Sequence, residues 1–142
     1  MDPTLELQGA IIARLRGDTT LAALVGKTAG GQVKVFDFVP SGTAEPYVSL
    51  GPTSFTQEDA ECIDGGEVIV QIDAWSLGET NAPGASTQVR QMADAIRRSL
   101  HRYEFTLTQN ALVAFEHWRT DYLRDADGNH ASVRFTGFLE TP

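Results

Sequence analysis

The chain has 142 residues and a formal net charge of -8, from 19 acidic against 11 basic residues. This length fits a single domain over residues 1–142 that can bury a core without metal or disulfide support, and the one cysteine, Cys62, excludes an internal disulfide. The acidic balance argues against a free-standing nucleic-acid binder, which usually carries a basic face. No apolar run approaches the length of a membrane span and the start lacks a signal pattern, so we expect a soluble, non-secreted protein without membrane contact.

The first predicted element is a helix over Thr4–Arg16, where Pro3 suits its start and Gly17 its end. Its apolar residues recur at helical spacing and are expected to form one buried side: Leu5, Ile11, Ile12 and Leu15. Asp18 then caps a short helical turn that Gly26 closes.

Three strands are predicted next. The first covers Val33–Val39 and stops at Pro40, since proline cannot donate a hydrogen bond to a neighbouring strand. The second covers Tyr47–Gln57, with a bulge or bend at Gly51 and Pro52. The third, Glu67–Ser76, alternates most clearly: Val68, Val70, Ile72 and Ala74 point one way, and Ile69, Gln71, Asp73 and Trp75 point the other.

An amphipathic helix over Gly84–His101 follows, and two more strands cover residues 111–125 and 130–140. An Asp-Gly pair between these strands is a strong hairpin signal. Short connections favour antiparallel pairing. The sequence therefore predicts an α+β domain in the order α-β-β-β-α-β-β, in which two main helices pack on a mainly antiparallel sheet of about five strands.

Two groups of residues are candidates for protein–protein contact. Large aromatic side chains stand among polar ones on the second face of the predicted sheet, and this mixture is typical of interfaces. In the sixth element, the strand over residues 111–125, alternation places Val113 with Phe115 on one face, and further on Trp118 with Thr120 and Tyr122 on one face. The loop over residues 57–67 carries acidic residues and no basic one. The candidate contact residues are Glu58, Asp59, Glu61, Asp64, Trp75, Trp118, Tyr122 and Phe138.

Residues with recognisable catalytic chemistry are missing from the sequence patterns. The histidines His101, His117 and His130 lack metal-ligand spacing, and no serine or cysteine stands in a recognisable nucleophile setting. We therefore expect no enzyme activity, no catalytic or metal-binding residues and no cofactor, although a site assembled in space would escape this reasoning.

Several long segments resemble the phage tail-completion family, whose members are also called tail terminators or tail-to-head joining proteins. The similarity runs through "LELQGAIIARLRGDTTLAALVG", "VFDFVPSGTAEPYVSLGP", "CIDGGEVIVQIDAWSL" with the helix after it, and "HWRTDYLRDADGNHASVRFTGFLE". Similar proteins occur in tailed phages, prophages and gene transfer agents. The resemblance covers nearly the whole chain.

The resemblance implies a virion protein that forms a hexameric ring at the head-proximal end of a tail. Such a ring would stop growth of the tail tube protein and meet the connector or stopper protein of the head, and DNA would pass through its lumen without specific binding. Before assembly the subunit would reside in the host cytoplasm. The family has no catalytic residues to carry over.

Two other functions stay open at this point. One is another neck or minor tail component, such as a stopper or a tube-like subunit. The other is a small enzyme or ligand-binding domain, which predicts a deep pocket with convergent polar groups and perturbed titrating residues.

Overall fold

A computed structural model describes residues 2–59, 63–76, 85–125 and 128–142, and it contains three helices and one five-stranded sheet. In chain order these elements are α1 (Pro3–Arg16), α2 (Thr19–Val25), β1 (Val35–Phe36), β2 (Tyr47–Gln57), β3 (Asp64–Trp75), α3 (Ala85–Leu100), β4 (Ala111–Asp125) and β5 (Gly128–Thr141). The α+β class predicted from the sequence is confirmed. None of the described helices is long and apolar enough to span a membrane.

The strand order is β1-β2-β3-β5-β4, and the long strands pair antiparallel. Helix α3 packs across β5, β4 and β3, α2 packs on α3, and α1 contacts α2, α3 and β1. The core lies between this helical layer and one face of the sheet. Its largest fully buried side chains come from both layers: Leu7, Ile11, Leu15, Leu21, Met92, Ile96, Leu100, Val35, Val48, Ile72, Phe135 and Leu139.

The predicted helix caps are confirmed, whereas the predicted buried side of α1 is partly wrong. The Asp18 carboxylate accepts a hydrogen bond from the Leu21 amide at 2.8 Å, so the short turn becomes the complete helix α2. In α1, however, Leu7 joins Ile11 and Leu15 in the core, and Leu5 is 57% exposed. The difference arises because residues 7, 11 and 15 recur every four positions, which keeps them on one side of a helix.

The first strand is much shorter than predicted, and its pairing is parallel. Only Val35 and Phe36 pair, with Val48 and Ser49 of β2. The loop over residues 37–46 reverses the chain within itself, through a turn in which the Thr43 amide donates to the Pro40 carbonyl. Because the loop carries the chain back to the level where β1 begins and then reverses it once more, β2 runs in the same direction as β1. The expectation that short connections give antiparallel pairs is wrong at this position.

Helix α1 is tied to the segment before β4 through Glu6. Its carboxylate accepts hydrogen bonds from the Thr108 hydroxyl at 2.6 Å and from the backbone amides of Thr108, Gln109 and Asn110 at 2.9–3.2 Å. The hydrogen bond from the Thr108 hydroxyl lowers the pKa of Glu6 most, and the hydrogen bonds from the backbone amides lower it further. Partial desolvation raises the pKa, but the hydrogen bonds outweigh it, so the pKa falls from 4.5 to about 2.

This lowered pKa makes a stability prediction with a defined pH window. Since the folded chain holds Glu6 ionised more strongly than the unfolded chain does, its contribution to stability is complete above pH 4.5 and is lost as the pH falls towards 2. We expect Glu6→Gln to lower the melting temperature at pH 7. The gap between wild type and variant should narrow below pH 4.5, measured by thermal unfolding followed by circular dichroism. A gap that is independent of pH would contradict this role.

Candidate assembly surfaces

One face of the sheet is free of helices within the described part of the chain, and we call it the open face. In β3, Val68, Val70, Ile72 and Ala74 are buried beneath the helices, as alternation predicted. Ile69, Gln71, Asp73 and Trp75 lie on the open face. The cross-strand partners of these four residues in β5 are Thr136, Arg134, Ser132 and His130, so they extend the open face.

A hydrogen-bonded polar network occupies the centre of the open face. Oδ1 of Asp73 lies 3.0 Å from His130 Nε2, and it accepts hydrogen bonds from Ser132 Oγ at 3.0 Å and from Gln71 Nε2 at 2.9 Å. Arg134 extends the network towards β4, because it donates to Gln71 Oε1 at 3.1 Å and to Asp121 Oδ2 at 2.8 Å. The network therefore links β3, β5 and β4 through side chains as well as through backbone pairing.

Asp73 is the centre of this network and is only 8% exposed. Burial raises its pKa, but the hydrogen bonds from His130, Gln71 and Ser132 outweigh burial, so that the pKa lies below its ordinary value. Gly51 of β2 makes room for the network, since a Cβ there would lie 2.6 Å from Asp73 Oδ2 and 2.9 Å from Gln71. The predicted bulge at Gly51 and Pro52 is confirmed by a shift of register between Leu50 and Thr53.

Removal of the Asp73 carboxylate should destabilise the fold. In Asp73→Ala the Gln71 amide and the Ser132 hydroxyl lose their hydrogen-bond acceptor at a site shielded from water. We expect this loss to lower the free energy of unfolding by about 1–2 kcal/mol. Asp73→Asn keeps the shape and one acceptor oxygen, so its loss should be smaller. Urea unfolding of both variants measures the difference, and equal losses would contradict an acceptor role for Asp73.

Aromatic side chains gather at the end of the open face where β3 ends. The Trp75 indole stacks on the His130 ring with centroids 3.9 Å apart and planes 3° apart, and Tyr47 lies 6.4 Å away on the other side. The Trp75 Nε1 donates to Ser49 Oγ at 3.1 Å. Three neighbours, His130, Tyr47 and Ser49, therefore hold the Trp75 indole in place.

The predicted common face of Val113 and Phe115 in β4 is wrong, because a β-bulge between them changes the register of β4 against β5; a second bulge follows further along the strand. The register shifts between Val113 and Glu116, where Ala114 has a φ of 53°, and again between His117 and Arg119. As a result Val113 is 45% exposed and Phe115 is buried, although strict alternation placed them together.

The second bulge lies at Trp118, and regular pairing resumes from Arg119 through Tyr122. Trp118 has no cross-strand partner and is 56% exposed, and Tyr122 pairs with Ala131 on the helix side of the sheet. The Arg90 guanidinium of α3 lies 4.2 Å from the centre of the Tyr122 ring. Both residues belong to the edge strand β4, and Tyr122 does not share the open face with Trp75.

The acidic candidates lie at the opposite end of the sheet from Trp75. Glu58, Asp59 and Asp64 are exposed where β2 gives way to β3, and Phe138 lies on the open face near this end, opposite Glu67 and Val113. Glu61 lies outside the described residues. Eleven residues of β3 separate Asp64 from Trp75, which corresponds to about 36 Å along an extended strand. The predicted contact residues thus form separate surfaces and not one site.

Phe38 is an exposed aromatic residue that the sequence analysis did not select. It follows β1 directly and is 85% exposed. Its loop is ordered by the turn at Pro40–Thr43, by the positive φ of 82° at Gly42, and by a hydrogen bond of 2.9 Å from Lys34 Nζ to the Ala44 carbonyl. The predicted first strand, Val33–Val39, included Phe38, and the available signal was its position two residues before Pro40, which ends that predicted strand.

The described residues offer little support for a catalytic or metal-binding site. Among them no group of three or more histidine, cysteine, aspartate or glutamate side chains could hold a metal ion. The pKa values of Glu6 and Asp73 are perturbed, but each carboxylate is saturated by hydrogen bonds that join elements of the fold. The arrangement suits contacts between proteins over wide surfaces.

Comparison with known proteins finds a matching family and similar solved structures. The family described as "Tail completion protein gp17" matches residues 9–140. One chain of a solved structure described as "Virion of native gene transfer agent (GTA) particle" has a similar fold, with a TM-score of 0.81 and 25% sequence identity over 98% of each chain. No curated protein matches the sequence.

Proposed function

The chain belongs to the tail completion protein family, a family of structural phage tail proteins and not of enzymes, and from that premise we propose that it forms a ring at the head-proximal end of a phage-like tail. The match over residues 9–140 carries this proposal. The resemblance noted in the sequence is confirmed at the level of the family, and a structural role in a tail follows from it.

The proposed ring is a hexamer that ends growth of the tail tube and joins the tail to the connector or stopper of the head. The similarity to a chain of a gene transfer agent virion supports a place in the particle. Ring subunits use a head-to-tail interface, in which two different patches of each subunit meet. The described chain offers such patches at separate edges and ends of its sheet. Before assembly the subunit would reside in the host cytoplasm.

The lumen of this ring would carry DNA without specific binding. A net charge of -8 opposes contact with phosphate groups. We place the acidic end of the β2–β3 hairpin, with Glu58, Asp59 and Glu61, towards the lumen or the neighbouring ring. Charge reversal at these three residues should then reduce DNA delivery or joining. If particle assembly and DNA delivery were both unchanged, the proposed position of this hairpin end would be contradicted.

Electron microscopy of particles from a strain that lacks the gene tests the proposed function. We expect overlong or ragged tails beside separate, DNA-filled heads. Normal joined particles would overturn the proposal. Tails of normal length beside separate heads would indicate a stopper, and missing tails with intact heads would indicate a tube-like subunit.

A further inference from the structure

Two histidines join the bulged stretch of β4, Val113–Arg119, to the end of α3. The backbone amide of His117 donates a hydrogen bond to Nδ1 of the His101 imidazole at 2.9 Å, directly after the last turn of α3. The next residue, Arg102, donates through its backbone amide to the Phe115 carbonyl at 2.8 Å. Both bonds attach to β4 at or beside its shifts of register, so the end of α3 helps to fix the bulged shape of the strand.

The hydrogen bond to His101 requires a neutral imidazole. Nδ1 accepts through its lone pair, whereas a protonated imidazole donates from both ring nitrogens. Uptake of a proton by His101 therefore removes the acceptor of the His117 amide and leaves this partly buried N–H facing another donor. Such a donor is costly, because it has given up water without gaining a partner.

The surroundings of His117 also oppose a positive charge. Burial lowers the pKa of His117 most, and the neighbouring Arg97 and His101 lower it further. From β5 the uncharged Phe135 ring meets the His117 ring with centroids 5.7 Å apart, and the Thr120 hydroxyl lies 2.7 Å from Nε2. Because the pKa in the fold lies below 6.5, the stability that neutral His117 contributes is complete above pH 6.5 and is lost as the pH falls through the lowered value.

The carboxylates near these imidazoles already have arginine partners. Asp94 of α3 lies 2.8 Å from both Arg97 and Arg98, and Glu116 of β4 lies 3.5 Å from Arg102. Among the described side chains, neither imidazole forms an ion pair with a carboxylate. A proton taken up here therefore joins a group of three arginines and two carboxylates that is already positive.

We propose that His101 and His117 form a proton-sensitive latch between α3 and β4. The latch is closed when both imidazoles are neutral. A proton on His101 opens it by removing the acceptor, and a proton on His117 opens it by placing a positive charge beside Arg97. Opening frees the bulged stretch, which places Phe115 in the core and leaves Trp118 exposed. The shape of this sheet edge thus depends on pH, independently of the proposed place of the subunit in a tail.

NMR spectroscopy of the full chain tests the latch. Histidines are the side chains that ordinarily change charge between pH 5 and 8, and the sequence contains three, His101, His117 and His130. The main readout is the protection of the His117 amide from hydrogen exchange, corrected for the intrinsic effect of pH, and the imidazole signals report which rings take up protons.

We expect the protection of the His117 amide to fall about tenfold between pH 7.5 and 5.5, the factor that corresponds to one lost hydrogen bond. The Ile72 amide, in the centre of the sheet, should keep its protection, which separates local opening from global unfolding. Constant protection of the His117 amide down to pH 5, whether or not the imidazoles take up protons, would overturn the proposal.

Substitutions of the two histidines separate the proton from the packing. His101→Phe keeps a ring but removes the acceptor, so protection should be low at both pH values. His101→Asn places an amide oxygen near the position of Nδ1, and His117→Gln removes the second titrating ring. In the chain with both of these changes, protection of the amide of residue 117 should be the same at pH 7.5 and 5.5. A purely structural role predicts the wild-type pH response in this double variant, and that result would overturn the latch.

His130→Asn is the matched control. His130 lies on the open face, and its ring has a carboxylate partner, Asp73, at 3.0 Å. The substitution removes the third titrating imidazole without touching the end of α3, so the His117 amide should lose protection at pH 5.5 as in the wild type. Loss of the pH response in this variant would assign the response to the open-face network and contradict the latch.

Discussion

Replacement of Phe135 by alanine is expected to lower the free energy of unfolding by about 3–5 kcal/mol, the range for truncation of a fully buried phenylalanine. Phe135 of β5 has no exposed surface, stacks on the Phe115 ring with centroids 5.2 Å apart, and meets the edge of the His117 ring at 5.7 Å. The cavity would open where β5 and β4 meet the helices. Because domains of this size are stable by only about 5–15 kcal/mol, urea unfolding should show a large shift of the midpoint.

Phe38→Ala is the matched control, because the same substitution is made at a side chain that is 85% exposed. Its free energy of unfolding should stay within about 0.5 kcal/mol of the wild type. The two variants then separate burial from residue type: Phe135→Ala should unfold easily, and Phe38→Ala should be about as stable as the wild type. A loss under about 1 kcal/mol for Phe135→Ala would contradict the packing described for β5.

A second large effect is expected from Gly66→Ala in β3, with a loss of about 3 kcal/mol, at the upper end of the cost of overpacking. Gly66 pairs with Gln57 on one side and Leu139 on the other. An added Cβ would collide with the backbone carbonyl of Thr56 and would lie 2.9 Å from the tip of the Phe55 ring. The carbonyl belongs to the strand ladder and cannot move aside without breaking it. Thermal unfolding followed by circular dichroism measures the loss.

Gly9→Ala provides a control with the opposite sign. Gly9 lies within α1, and a Cβ at this position meets nothing within 4 Å. Alanine restricts the unfolded chain more than glycine does, so this variant should gain about 0.5–1 kcal/mol. If both glycine variants lost stability equally, the close approach of β2 to β3 at Gly66 would not be the cause.

The elements that follow simple periodicity could be predicted from the sequence. The alternation of β3 placed Val68, Val70 and Ile72 on one face, and Val89, Met92 and Ile96, spaced by three and four residues, form the buried side of the amphipathic helix α3. These patterns suffice because burial on one face imposes a repeat of two on a strand and of 3.6 on a helix. The family was also recognisable, since the resemblance extends over nearly the whole chain.

Departures from periodicity could not be predicted in the same way. The bulges of β4 depend on contacts with β5, which lies after β4 in the chain, and nothing local marks Ala114 as a residue with positive φ. One inserted residue is enough to move Phe115 into the core while Val113 stays on the other face. The same limit applies to the candidate surfaces: the aromatic residues were visible in the sequence, but their division between two edges follows from strand order.

The bulges of β4 also affect how readily the unassembled subunit aggregates through its sheet edge. β4 has 15 residues and a free outer edge, and a flat edge of that length would offer hydrogen bonds to any other extended chain. The two interruptions twist this edge and break the run of regularly spaced donors and acceptors. A newly made subunit is thereby protected from indiscriminate aggregation into fibres, and its association depends on matching side chains.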